Sequence, residues 1–246
     1  MITLAAILTA LTVALAGPVP ALLAASPTAL RRPGWALLTW QILGATSGLA
    51  AIGAFAAFAL TRHPLAGAAK IAAVGLTGYL LAVTATVTWQ TLRRRAAHRE
   101  LLDLVSTPLP ELPGGRLLDA ATPSAYCLPG RRSRLVLTAG AIDALEPTAL
   151  AAVIAHERAH LSQRHDLVAL PFTAWQAAWP FLPGARTARA AVDLLIEALA
   201  DDTACACVGA PAVTQALRTV RLRSASAEGP FDLQVRLARL AAVQPV

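Results

Sequence analysis

Apolar positions dominate residues 2–23, 35–60 and 71–92, and none of these stretches holds a charged side chain. Each matches or exceeds the roughly 20 residues a helix needs to cross a bilayer core, so three membrane spans are predicted. Met1-Ile2-Thr3-Leu4 offers no basic start, which makes the first stretch a retained span and not a cleaved signal peptide. Pro18 and Pro20 kink its end or mark its exit. In the second stretch Trp35 and Trp40 suit the membrane interface, while Gly44, Gly48 and Gly53 offer a packing surface to other helices.

Beyond residue 92 the texture changes. Residues 96–105 read as a polar helical extension and 106–115 as a Pro/Gly-rich loop. Two β-type runs follow at 125–128 and 135–138, joined by a hairpin loop holding Pro129-Gly130 and Arg131, Arg132 and Arg134. Residues 139–145 predict a short helix. Pro147 then stands at a first helical position, where its missing N–H costs nothing, and opens a helix that runs through Leu161. A further helix covers 192–201. The amphipathic stretches 213–223 and 232–242 carry Arg218, Arg221, Arg223, Arg236 and Arg239.

Composition sharpens this picture. Apolar residues make up 56% of the chain and charged residues 14%, against the roughly 25% charge of soluble domains. The net charge of +7 comes from Arg, with Lys70 the single lysine. These Arg residues flank the apolar stretches, so topology and anionic lipid explain them and nucleic acid is not an expected partner. Arg31 and Arg32 follow the first span, and Arg93, Arg94, Arg95 and Arg99 follow the third. The positive-inside rule then puts the N-terminus outside and everything after residue 92 in the cytoplasm of a multi-pass plasma-membrane protein. Cys127, Cys205 and Cys207 form no disulfide framework and fit inert thiols in a reducing compartment.

The candidate chemistry centres on His156-Glu157-Arg158-Ala159-His160. Four residues of helix return a side chain to nearly the same face, so both imidazoles can grip one metal ion. Glu157 lies one step round, placed to reach a water as a base. Glu197 and Asp201 share a helix face by the same spacing. Glu197 can complete a His2Glu zinc site, and Asp201 can then accept the free ring N–H of a ligand histidine. Asp166 stands ten residues after His156, but Gln163 occupies the place where a chain-reversing Gly would be required. His165 would lie nearly opposite His156 on a continuous helix and is read as local structure. Cys205 and Cys207 make only a lone C-x-C.

The His-Glu-Arg-Ala-His run, the Glu-x-x-Ala-Asp at 197–201 and the hairpin ahead of them resemble two related groups of membrane zinc peptidases. One is the BlaR/MecR-type antirepressor group, the other the HtpX and Ste-type CAAX proteases. The approach from Gly140 to Glu157 and the Trp/Pro-rich segment 175–183 are closer to the antirepressor type. The resemblance implies His156, His160 and Glu197 as ligands of one zinc ion, Glu157 as general base and Asp201 behind a ligand histidine. It implies a mainly α protein: a three-span membrane region, residues 1–92, then a small α+β zincin-like (gluzincin) metallopeptidase domain, residues 93–246, with a short β-hairpin. The expected activity is hydrolysis of peptide bonds in a protein or peptide substrate. Regulatory proteolysis of a cytoplasmic transcriptional repressor and quality control of membrane proteins are the roles it offers. The external penicillin-binding sensor of the antirepressor group has no counterpart in this sequence. Spacing does not assign a second oxyanion donor.

Closing this site constrains the uncharged segment 167–184. A single crossing would put Glu197 across the membrane from His156, and two crossings need about 40 residues. The segment is therefore expected at the membrane face or as a buried hairpin of the catalytic domain. The spans hold only Thr, Ser and Gln as polar residues, which argues against a transporter. A non-catalytic regulator that binds a partner through a zinc-peptidase fold is the alternative, although such a protein need not keep Glu157.

Overall fold

The computed structural model describes residues 1–26, 28–219, 221–222 and 230–243, and divides them into two compact units. The first comprises Met1–Gln90 and Ala169–Val192, the second Thr91–Val168 and Asp193–Val246. Arg223, the end of the first amphipathic stretch, lies outside the described residues, as does the side chain of Arg221.

The first unit is built from apolar helices. α1 (Ile2–Ala16) and α2 (Pro18–Ala24) meet at Gly17 with a bend of 41°. Pro18 opens α2 because it has no N–H to continue the preceding ladder. After a short 3-10 turn come α3 (Pro33–Ala59) and α4 (Ala66–Val105), each long and apolar enough to cross a membrane; the bent pair would make a third span. Ile42, Leu49, Ile71 and Leu81 are exposed, the surface expected of helices facing lipid. α1 packs on α3, with the Leu8 side chain against Gly53.

The segment 167–184 resolves as a helical hairpin. α7 (His165–Ala178) turns at 179–182 into α8 (Pro183–Val208). Residues 169–192 join the apolar helices, so the reading as a buried hairpin of the catalytic domain does not hold. Phe172 meets Trp40 edge-on at 6.5 Å, Gly44 lies against Phe172 and Trp175, and Tyr79 donates to the Ala178 carbonyl at 2.8 Å. Trp40 is fully buried by this packing, so it is a core residue and not the interface anchor expected from its position. A Cβ at Gly184 would overlap the Ala16 carbonyl, which is why the hairpin returns through a glycine there.

The second unit holds a five-stranded mixed sheet where the sequence predicted one hairpin. Its strands are β1 (Ser106–Leu109), β2 (Gly115–Leu118), β3 (Ser124–Leu128), β4 (Arg134–Thr138) and β5 (Arg221–Leu222), ordered β1-β2-β4-β3-β5. β3 and β4 are the predicted antiparallel pair. β1 falls in the stretch that reads as a loop: its Pro108 is tolerated because β1 is an edge strand, paired among the described residues only to β2. Thr138 caps α5 (Ala139–Ala144) by accepting from Ala141 N. α6 (Pro147–Ser162) buries Ala149, Ala152 and Val153 on Leu135 and Leu137 of the sheet. Val213 and Leu217 of α9 (Ala210–Thr219) and Leu240 of α10 (Pro230–Val243) close the same core. That packing fixes which way the next turn of α6 points.

Candidate metal centre

One helical turn beyond Val153, α6 presents His156, and a further turn presents His160. Their Nε2 atoms stand 3.0 Å apart. From α8, Glu197 brings Oε2 to 3.2 Å from His156 Nε2 and Oε1 to 3.4 Å from His160 Nε2. The three residues form one buried cluster whose ligand atoms lie within 4.8 Å of one another. Two imidazole nitrogens and a carboxylate converging in a buried space need a proton or a metal cation among them. His2Glu is a donor set that zinc takes.

With both imidazoles neutral, as metal ligands must be, and Glu157 ionised, the buried carboxylates Glu157, Glu197 and Asp201 carry three negative charges against one positive on Arg236 among the described residues of the site, a difference equal to the charge of one Zn2+.

Asp201 sits one turn beyond Glu197, with Oδ1 at 3.0 Å from His156 Nδ1. It can accept the ring proton there, leaving the Nε2 lone pair for a metal. Arg236 of α10 was read from sequence only as part of an amphipathic surface. The structure buries it completely: Nε and Nη2 grip both oxygens of Asp201 at 2.8 and 2.7 Å, and Nη1 reaches Glu197 Oε2 at 3.0 Å. The only signal in the sequence is an arginine set between Val235 and Leu237.

His165 also departs from expectation. α6 ends at Gln163, and Arg164 adopts φ +51°, uncommon for a residue with a Cβ. The chain turns there, so His165 is not on a continuous helix but folds back with Nδ1 2.9 Å from His160 Nδ1. Asp166 instead pairs with Arg95 at 2.7 Å. Cys205 is half-buried and Cys207 exposed, and neither joins the metal cluster. Cys127 of β3 is a further neighbour that spacing did not reveal: burial, and after it the nearby Glu157 charge, pushes its thiol up.

Burial dominates the titration of the site. It pushes Glu157 up to about 7, near the pH at which a base must work. Burial lowers His160 to about 3 and His165 to about 4, so both rings are neutral. His156 is the exception: burial pulls it down, but the Asp201 and Glu197 carboxylates beside it carry it to about 10. Burial opposes the charge on Glu197 and Asp201, yet His156 and Arg236 hold both below the usual carboxylate range. A metal must therefore expel the proton of His156. Zinc affinity is expected to rise with pH between 6.5 and 8, by up to about tenfold per unit for one proton displaced. Chelator competition at a series of pH values checks this, and a flat profile would contradict the protonated state of His156.

A family model described as Peptidase family M48 matches residues 88–217, more than half of the chain. No curated protein and no solved structure matches.

Proposed function

Because the chain belongs to peptidase family M48, a family of zinc metallopeptidases, we propose that it is an integral-membrane zinc endopeptidase of the gluzincin kind. The observation that carries this reading is the buried cluster of His156, His160 and Glu197 with Glu157 beside it on α6. His156, His160 and Glu197 would hold the ion, with Asp201 and Arg236 orienting two of those ligands. When bound, zinc supplies a Lewis acid that acidifies a water and polarises the scissile carbonyl. Glu157 takes the proton from the attacking water and passes it to the leaving amine.

The flanking arginines support an external N-terminus and a cytoplasmic catalytic unit. The sequence around Gly140 to Glu157 favours regulatory cleavage of a cytoplasmic protein, of which a repressor is the natural candidate, as in the antirepressor group.

The test is purification in detergent, metal analysis and cleavage of an unfolded protein such as casein, with and without a chelator. Stoichiometric zinc, lost in Glu197→Ala, with cleavage that chelation stops and zinc restores, is the expected result. Zinc without any chelator-sensitive cleavage would leave only a regulator that binds its partner.

A further inference from the structure

The two histidines of the cluster are supported from behind by different chemistry. His156 leans on a carboxylate; His160 leans on His165. An imidazole can donate or accept, so by itself this contact does not say which tautomer His160 adopts. The residues behind His165 decide it.

Thr203 on α8 donates its hydroxyl proton to the Leu199 carbonyl at 2.9 Å. Its oxygen is then an acceptor for the Gln163 amide nitrogen at 2.8 Å. That contact orients the Gln163 amide, so the atom 3.1 Å from His165 Nε2 is the oxygen Oε1, which only accepts. His165 must carry a proton on Nε2. If Nδ1 were protonated too, His160 would accept there and bear its own proton on Nε2, facing His156 Nε2 at 3.0 Å and closing the lone pair to a metal. A neutral His165 instead accepts at Nδ1 from His160 Nδ1–H, across 2.9 Å. The His160 Nε2 lone pair then faces the cluster.

We propose that His165 is a positioning residue that fixes the metal-binding tautomer of His160, and that Thr203 and Gln163 set the direction of this hydrogen-bond relay. The inference rests on the metal-site reading above. The relay is neutral throughout. A carboxylate in the place of His165 would add a fourth negative charge to a site whose three carboxylates are already matched by Arg236 and one divalent ion. The φ of +51° at Arg164 is the backbone conformation that makes the relay reachable.

Zinc affinity is the readout, measured on the detergent-purified full chain by competition with a colorimetric chelator. The variants are His165→Phe, His165→Asn and Thr203→Val, with Glu197→Ala as control. His165→Phe keeps the ring volume but offers no acceptor, and is expected to weaken zinc about 10- to 100-fold. Asn places an oxygen near the position of Nδ1 and is expected to recover most of that loss. Thr203→Val lies away from the ligands and is expected to weaken zinc less, in the same direction. Circular dichroism checks that each variant is folded. Wild-type affinity in His165→Phe, or equal losses in Phe and Asn, would overturn the relay while leaving the zinc site standing. A wild-type protein with no Glu197-dependent zinc would overturn both together.

Discussion

Glu157→Gln is expected to cut peptide hydrolysis by about 10²–10⁴-fold, the usual worth of a positioned acid–base group, while zinc stays bound. Gln has the shape of the native side chain but cannot take a proton. The variant also separates chemistry from folding. Burial raises the native Glu157 from an ordinary value of 4.5 to about 7, so the metal-free fold binds that proton more tightly than the unfolded chain does. Its stability therefore falls as pH rises from 4.5 through about 7. Gln has no proton to lose, so the variant should show less of that fall. The measurements are initial cleavage rates with metal content on the same sample, and thermal unfolding of the metal-free protein at two pH values. Undiminished cleavage would remove Glu157 from the mechanism.

What the sequence made legible follows from the range over which its signals act. His156 with His160, and Glu197 with Asp201, are four residues apart on single helices, where the 3.6-residue period determines who shares a face. The structure brings these four side chains into one cluster. Arg236 meets Asp201 from 35 residues away. No periodicity spans that distance, and its other turn-mates made it look like an ordinary amphipathic arginine. His165 keeps the local structural role its sequence suggests, but not the continuous helix, because a single left-handed residue at Arg164 ends α6. The β1–β2 pair was invisible for another reason: a Pro-bearing edge strand gains its order from backbone pairing, which leaves little trace in side-chain pattern. Trp40 shows the converse. Its composition suited an interface, and only the hairpin from α7 to α8 reveals the partner, Phe172, that buries it.

The second large effect belongs to Arg236. Arg236→Met is expected to destabilise the metal-free protein by about 3–5 kcal/mol, the cost of leaving a buried ion pair without one partner. Two carboxylates lose their cation at once, since the guanidinium grips Asp201 through two nitrogens and Glu197 through the third. Met fills comparable apolar space, so lost packing does not account for the effect. Lys keeps the charge but not the fork, and a point charge cannot serve both carboxylates with the same geometry, so Arg236→Lys should fall between. The carboxylates can escape the penalty by taking up protons, so the loss should be largest near neutral pH and shrink in acid. Zinc acts against it by binding only the folded site, which raises apparent stability in proportion to the logarithm of free metal. Denaturant unfolding with excess chelator and with excess zinc separates these contributions. A larger deficit in chelator than in zinc identifies Arg236 as the counter-ion of the metal-free site. Equal stability to wild type in chelator would mean that Glu197 and Asp201 are balanced by other groups, and the charge argument for a divalent ion would have to be rebuilt.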